Sequence, residues 1–285
     1  NIGGVMRFNR GDIELEWSRD GSAVATKVLM LHGLSGISTG YDEAVDELGE
    51  SADVYRVDLR GHGRSDRAPG SYSVPYYSDD VIAFIEEVVG EPVVLIGHSL
   101  GGVITHHITA TRPDLVLSAL CEDPPLYFCD QSLFDQSIMA GVFPVLEANM
   151  RAAQADGRPR EFYESMVGDA MMPWGRAGDH MTARALQARV DSLMLGDPDV
   201  WVPAIHGGAL SGYDPDARIS KPMIILQADP TMGPALFPDH ATRQHEANPE
   251  VEIRLIEGAP HGIHSFQGSK DRYVDGVRDA ISRAG

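Results

Sequence analysis

The chain has 285 residues, of which 43% are hydrophobic, and this is enough for one large α/β domain or for a core with an inserted subdomain. It contains 42 acidic and 23 basic residues, for a formal net charge of −19 at pH 7. Nucleic acids and anionic membranes are bound through basic surfaces, so this balance argues against both as partners and against a polyanionic substrate. We therefore expect a small-molecule substrate that is neutral or weakly charged.

The two cysteines give no sign of a disulfide framework or a zinc site. Cys121 ends an apolar run and is expected to be a buried thiol, whereas Cys129 is expected in a loop. Reduced thiols of this kind predict a cytoplasmic protein. No apolar stretch approaches the roughly 20 residues of a membrane span, and we expect no signal peptide. The sequence leaves open whether the chain forms a homo-oligomer.

The predicted elements alternate between strands and helices. Residues 6–17 predict a strand pair with a turn near residues 10–12. Short continuous apolar runs, which are typical of strands buried on both faces, lie at residues 27–31, 54–57, 93–96 and 223–226. Helical patterns lie at residues 41–48, 76–89 and 103–111, and a later strand and closing helix lie at 251–256 and 270–283. This alternation predicts an α/β fold with a mostly parallel sheet flanked by helices.

The middle of the chain differs from both ends. Between residues 125 and 217 no strand-like run occurs, and three segments have helical patterns, at 132–150, 160–171 and 182–195. We predict a helical cap at 125–217, inserted into an α/β core formed by residues 1–124 and 218–285. In an open α/β sheet an insertion after the carboxyl end of a strand lies over the ligand crevice, so the cap is predicted to act as a lid.

The most informative segment is residues 93–102, Val-Val-Leu-Ile-Gly-His-Ser-Leu-Gly-Gly. An apolar strand runs directly into Gly-x-Ser-x-Gly, and a helical pattern follows, which is the context of a nucleophile elbow. Gly97 and Gly101 lack Cβ atoms, so strand and helix can pack closely around the turn. The strained turn lifts the hydroxyl of Ser99 clear of the backbone, and Ser99 is therefore predicted to be the nucleophile.

A second strand end is predicted to supply an oxyanion hole. Residues 29–36 form a strand followed by a His-Gly turn, at which the backbone N–H of Leu34 can point toward a developing oxyanion. The N–H of Leu100, directly after the nucleophile, is the predicted second donor. His32 itself is expected to be structural.

The candidate general base lies in residues 257–264, a loop that follows a predicted strand. His261 stands among small residues there, and a late loop can bring it within about 3 Å of a serine hydroxyl. His264 is a competitor that we assign to the lid or to packing. The remaining histidines show no metal-ligand spacing, so no metal is expected, and this set of residues requires no cofactor.

Four motifs in this order together resemble the α/β-hydrolase superfamily: His32-Gly33, residues 58–65 (Asp-Leu-Arg-Gly-His-Gly-Arg-Ser), residues 97–102 and residues 258–261 (Gly-Ala-Pro-His). The resemblance covers the whole chain except the cap. It implies the α/β-hydrolase fold and a Ser–acid–His triad. It does not imply a substrate, because esterases, lactonases and C–C hydrolases share this fold.

The acid of the triad has two candidate places in this superfamily. The usual place follows the strand at 223–227, where this chain has Asp229. The other is the end of the strand after the elbow helix, where this chain has Glu122 and Asp123. The second arrangement resembles haloalkane dehalogenase-like and zearalenone lactonase-like members. We therefore favour Glu122, with Asp229 and Asp123 as alternatives, and we interpret Asp229 as an Asx turn that ends its strand.

These residues predict a serine hydrolase. Ser99 attacks an acyl carbonyl, His261 takes its proton, Glu122 orients His261, and water hydrolyses the acyl-enzyme. The predicted substrate is a carboxylic ester or lactone of a neutral, fairly apolar small molecule, with Trp174 as the candidate pocket residue. A C–C bond hydrolase with the same triad and a small-lactone receptor with slow turnover are the alternatives.

Overall fold

The computed structural model describes residues 5–285, so the first four residues of the predicted core lie outside it. The strands are β1 (Met6–Asn9), β2 (Glu14–Gly21), β3 (Lys27–Leu31), β4 (Asp53–Val57), β5 (Val93–His98), β6 (Val116–Glu122), β7 (Met171–Met172), β8 (Gly175–Arg176), β9 (Met223–Ala228) and β10 (Glu252–Ile256). The helices are α1 (Asp42–Leu48), α2 (Val74–Phe84), α3 (Leu100–Thr111), α4 (Gln131–Phe134), α5 (Ile138–Ala155), α6 (Arg160–Gly168), α7 (Ala177–His180), α8 (Ala183–Leu195), α9 (Trp201–His206), α10 (Pro238–Ala247) and α11 (Lys270–Ser282).

Eight strands form one sheet in the order β1-β2-β4-β3-β5-β6-β9-β10. Strand β2 pairs antiparallel with both β1 and β4, and the remaining neighbours, from β4 to β10, pair in parallel. The predicted α/β-hydrolase fold with a mostly parallel sheet is therefore confirmed. Because the central strands run in the same direction, their carboxyl ends meet at one edge of the sheet, where ligands bind in open α/β folds.

Helices cover both faces of the sheet, and the side chains of its strands alternate between two apolar clusters. Leu95 and Cys121 belong to the cluster that includes α2 and α3. Ile96 and Leu120 belong to the cluster that includes α1 and α11. This alternation follows from the two-residue period of a strand, and it decides which face each strand-end side chain meets.

Helices α4 to α9 and the β7–β8 hairpin lie between β6 and β9. This agrees with the helical segments predicted in the middle of the chain, and its action as a lid stays a prediction. Helix α10 was missed by the sequence pattern, because its buried side chains include the polar His240 and Gln244 rather than an apolar stripe. Within residues 5–285, no helix is both long enough and apolar enough to cross a membrane.

Candidate active site

Ser99 lies on the sharp turn between β5 and α3, with φ 53° and ψ −116°. Neither Gly97 nor Gly101 has room for a Cβ atom. A Cβ at Gly97 would lie 2.0 Å from the carbonyl oxygen of Gly101, and a Cβ at Gly101 would lie 2.2 Å from that of Leu31. A larger residue at either position would force the helix away from the strand, so the geometry of the turn depends on both glycines.

Ser99 and Asp123 are the non-glycine residues with positive φ in the described part of the chain, at 53° and 39°. An L-residue adopts this region at a cost in conformational energy, so it persists only where the surrounding structure holds it. Strain of this kind concentrates at functional sites. Its presence at these two residues indicates that the carboxyl ends of β5 and β6 form the site.

The loop after β3 approaches Ser99, since a Cβ at Gly33 would lie 3.0 Å from the Cβ of Ser99. His32 orients this loop. Leu59 N–H donates to Nε2 of His32 (3.0 Å), so Nδ1 carries the ring proton and donates to the carbonyl of Gly33 (2.8 Å). The N–H of Leu34 belongs to the same trans peptide as that carbonyl and points in the opposite direction. Burial, and secondly the neighbouring His62, lowers the pKa of His32 to about 3, which keeps the ring in this neutral, structural form.

Leu34 and Leu100 lie beside Ser99 on the wall of a small cavity of about 50 Å³. Within residues 5–285, neither backbone N–H donates a hydrogen bond to another protein group. Two free N–H groups next to a nucleophile are the arrangement that stabilises an oxyanion. The structure therefore brings together the two predicted donors, and their role stays a proposal.

The ring of His261 is held by Asp123. Nδ1 of His261 lies 2.7 Å from Oδ2 of Asp123, which leaves Nε2 as the nitrogen that can take a proton. Asp123 is fully buried, and its carboxylate also accepts from the backbone N–H groups of Ala228 (3.1 Å), Ala235 (2.7 Å) and Leu236 (3.3 Å). These three backbone hydrogen bonds fix the position of the Asp123 carboxylate.

The prediction that Glu122 orients His261 is wrong in this structure. Glu122 instead accepts from the backbone N–H of His264 (2.8 Å) and lies 2.8 Å from its Nδ1. The reason is the alternation of β6, in which Leu120 and Cys121 face opposite apolar clusters. Glu122 continues the Leu120 face, toward α1 and α11, and the next residue turns to the opposite face. The resemblance to members with an acid at the end of this strand correctly predicted the strand that supplies the acid. It favoured Glu122, whereas the next residue, Asp123, contacts His261.

Asp229 does not reach His261 either. Its carboxylate is exposed and accepts from the backbone N–H groups of Thr231 (2.8 Å) and Gly258 (2.8 Å). These contacts match the predicted Asx turn at the end of the strand. The alternative acid is therefore a turn residue, and Asp123 is the carboxylate that the fold brings to His261.

His98, Glu122 and His264 form a compact cluster beside the site, and one ligand atom from each lies within 4.8 Å of the others. These atoms could in principle hold a metal ion, although the Glu122 carboxylate already accepts from His264. Burial, followed by the charges of His261 and His264, lowers the pKa of His98 well below its usual value. We interpret the cluster as a hydrogen-bonded support of the loop that holds His261.

A larger cavity of about 260 Å³ contains the candidate residues. Ser99 and His261 lie on its wall together with Trp174, and Arg189 from α8 also lines it. Apolar side chains from the helical insertion form much of the remaining wall, among them Met139, Val142, Phe143, Leu146, Met166 and Met172. The ring of Trp174 makes edge-on contacts with the rings of His180 and Phe266, with centroid separations of 5.7 Å and 5.4 Å. The structure places Trp174 on the wall of this cavity, and its role as a substrate-pocket residue stays a proposal.

Sequence reasoning missed Arg189, although a signal was present. The buried side of α8 includes Ala185, Ala188, Ser192 and Leu193, at the spacing of one helical stripe. Arg189 falls on the same stripe, where a charged residue is unexpected. A charge on the inward side of an amphipathic helix indicates a buried site.

Comparison with known proteins supports the same fold. The family model of the Alpha/beta hydrolase family matches residues 28–275. The chain therefore belongs to the alpha/beta hydrolase family. This result agrees with the order of the sequence motifs and with the topology of the sheet.

The proteins that this chain resembles are named as hydrolases of different kinds. The chain is 23% identical to a 2-(acetamidomethylene)succinate hydrolase of Mesorhizobium japonicum over 259 residues, covering 90% of this chain and 88% of the relative. The structure of the present chain resembles that of an enol-lactonase from Burkholderia xenovorans (TM-score 0.71, 15% identity, covering 97% of this chain and 100% of the other). It also resembles an esterase from Exiguobacterium antarcticum (TM-score 0.72, 17% identity, covering 97% and 99%). At this identity the solved structures show a shared fold.

Proposed function

We propose that the protein is a serine hydrolase that cleaves a carboxylic ester or lactone through an acyl-enzyme. One observation carries the proposal: the strained Ser99 and the ring of His261, held by Asp123, line one cavity. A serine on such a turn needs a neighbouring base to become a nucleophile. Asp123 replaces Glu122 as the proposed acid, because it is the carboxylate in contact with His261.

In the proposed reaction, Oγ of Ser99 attacks the acyl carbonyl carbon while its proton moves to Nε2 of His261. The N–H groups of Leu34 and Leu100 stabilise the oxyanion, and Asp123 stabilises the imidazolium through Nδ1. His261 then gives the proton to the leaving alcohol oxygen. Water, deprotonated by His261, attacks the acyl group and releases the acid and Ser99. No metal or cofactor is needed for these steps.

The cavity supports a small substrate with a largely apolar body. Its volume of about 260 Å³ is near the lower end of ligand sites, which span roughly 300–1,000 Å³. The helical insertion provides most of its apolar wall, so we propose that the insertion acts as a lid. The relatives include a lactonase and an esterase by name, which agrees with ester or lactone cleavage, and a C–C hydrolase would use the same residues.

Pre-steady-state kinetics with an excess of p-nitrophenyl acetate or butyrate over enzyme test the proposal. We expect a burst of p-nitrophenol equal to the enzyme concentration, followed by slower turnover. A fluorophosphonate should abolish the burst and add its mass to the peptide that contains Ser99. The Ser99→Ala variant is the control and should show neither burst nor label.

Ester cleavage that persists after complete labelling of Ser99 would contradict the covalent mechanism. Absence of any burst, with no turnover of a panel of esters and lactones, would favour a C–C hydrolase or a binding protein. A lactone panel read by pH change would then show whether ring esters differ from open ones.

A further inference from the structure

Arg189 lines the same cavity as Ser99 and His261, on the inward stripe of α8. Its Nη1 donates to the carbonyl oxygen of Ser35 at 3.0 Å, in the loop that also contains Leu34. In residues 5–285, no carboxylate lies within salt-bridge distance of this guanidinium. The arginine therefore has several N–H donors and one backbone acceptor.

This isolation is unusual in an acidic chain. The formal net charge is −19, and most other buried or half-buried arginines are paired, such as Arg60 with Asp80 (2.7 Å) and Arg19 with Asp53 (2.7 Å). The residues that line the cavity include no aspartate or glutamate among those described. Burial lowers the pKa of Arg189 to about 10, still well above neutral pH, so the side chain stays charged there.

The other titratable groups of the wall do not offset this charge. Burial is the first cause that lowers the pKa of both His32 and His98, so both rings are neutral at pH 7. The charge of Arg189 contributes to the shift of His98, which places it near the residue before the nucleophile. Arg189 is half-buried, and a partly desolvated cation without a counter-ion is costly unless a bound anion completes the site.

We propose that the substrate carries a carboxylate that pairs with Arg189, in addition to the acyl group that Ser99 attacks. This inference deepens the proposed function and rests on it for the identity of the cavity as the active site. The guanidinium presents a planar fork that matches a carboxylate with two parallel hydrogen bonds. The substrate class is then a monoanionic ester or lactone with an apolar body, rather than the neutral, fairly apolar molecule that the sequence predicts. Net charge describes the whole chain, whereas the described lining of this cavity contains an arginine and no acidic residue.

A binding experiment tests the carboxylate subsite without depending on catalysis. Hexanoate and hexanamide, which have similar shape and differ in charge, are titrated into the Ser99→Ala protein by calorimetry. We expect hexanoate to bind at least about tenfold more tightly, which is the range of a charge-assisted hydrogen bond. Adding Arg189→Met should remove the difference. Arg184→Met is the matched control, because Arg184 lies on the same helix, is exposed and pairs with Asp46.

Equal binding of the two ligands, or a preference that survives Arg189→Met, would overturn the inference. Should that variant fail to fold, Arg189→Gln, which keeps a donor for Ser35, repeats the test. An equal loss for both ligands would make Arg189 a support of the loop at residues 32–36 and also overturn the inference. A hexanoate preference without turnover of any ester or lactone, including esters that carry a carboxylate, would refute the proposed function and leave the subsite standing. Ester cleavage without a preference for hexanoate would support the proposed function and refute the carboxylate subsite.

Discussion

Two acid–histidine pairs lie side by side, with both acids at the carboxyl end of β6 and both histidines in the segment after β10, and their surroundings differ. In the first pair, Asp123 holds Nδ1 of His261 at 2.7 Å. In the second pair, Glu122 holds Nδ1 of His264 at 2.8 Å. Both acids are fully buried. The acids are neighbours in the chain, and the pleat of the strand directs them to opposite faces of the sheet.

The first pair couples its histidine to the backbone of the sheet edge, because the acid is fixed by three amide N–H groups. The second pair binds its histidine twice, through the backbone N–H and through the ring. The ring of His264 also lies 4.9 Å from that of Tyr41 and 5.5 Å from that of Tyr273. The two pairs have the same acid–histidine contact and differ in what surrounds the histidine ring. The surroundings of the ring, rather than the contact with the acid, therefore decide which pair is a candidate for catalysis.

The largest expected effect is the loss of the nucleophile that the first pair serves. Ser99→Ala should lower turnover of p-nitrophenyl butyrate by on the order of 10⁴–10⁶. Folding should persist, since the change removes one oxygen from a preformed turn. Steady-state kinetics with circular dichroism as a folding control provides the measurement. Turnover within tenfold of the unaltered chain would remove Ser99 from the mechanism.

The assignment of Asp123 to the catalytic pair predicts a large difference between substitutions of the two acids. Asp123→Asn should lower kcat by ~10³–10⁴, because the amide no longer selects the Nδ1–H tautomer of His261 or stabilises its charged form. Glu122→Gln should lower kcat by less than about tenfold, since His264 does not take the serine proton in the proposed mechanism. Both variants are compared at one pH. A larger loss for Glu122→Gln than for Asp123→Asn would reverse our assignment of the two pairs.

The second pair should instead contribute to stability. Glu122→Gln removes a buried charge that accepts from His264 and should lower the free energy of unfolding by about 3 kcal/mol. Urea denaturation monitored by tryptophan fluorescence measures this difference. The exposed Glu50→Gln on the same protein is the control and should change stability by less than ~0.5 kcal/mol. An unchanged unfolding midpoint for Glu122→Gln would mean that the pair does not anchor its loop.

A further histidine, the buried His106, differs from both pairs because its hydrogen-bond partners are uncharged. His106 contacts the hydroxyl of Tyr213 (3.0 Å) and the side chain of Gln244 (3.2 Å). Burial, followed by His107, lowers the pKa of His106 from 6.5 to about 4. The unfolded chain therefore binds this proton first as the pH falls, so stability present above pH 6.5 is lost progressively toward pH 4.

Between pH 6.5 and pH 5 this single group should cost about 1–2 kcal/mol of stability. His106→Gln should remove that part of the pH dependence, while the exposed His245→Gln should leave it unchanged. Unfolding free energies measured at several pH values give the slopes. Identical slopes in the His106 variant and the unaltered chain would contradict the assigned shift.

The smallest effect is expected at the cavity wall, away from both pairs. Trp174→Ala should lower kcat/KM for a long acyl ester by about fivefold, which corresponds to roughly 40 Å² of lost apolar contact. The acetate ester should be nearly unaffected, because it does not reach the remote wall. Equal losses for both esters would make Trp174 a folding residue.

Much of the fold could be predicted from the sequence, because its signals are local. The apolar run at residues 27–31 coincides with β3, and the closing helix predicted at 270–283 is α11. The Gly-x-Ser-x-Gly turn was recognisable for the same reason: its glycines and serine are neighbours in the chain. Helix α10 was missed, since polar residues occupy its buried side and no apolar period marks it.

Ser99 and His261 could be assigned from local motifs, since each follows a predicted strand within a short motif. The acid that meets His261 could not, because Glu122 and Asp123 differ by one position and the assembled sheet directs them to opposite faces. The position of Arg189 in the cavity also depends on the tertiary structure. This residue follows the nucleophile by 90 positions in the sequence, and the packing of α8 brings it to the cavity. Charge and motif are properties of the chain, whereas the partner of a buried charge is a property of the packed fold.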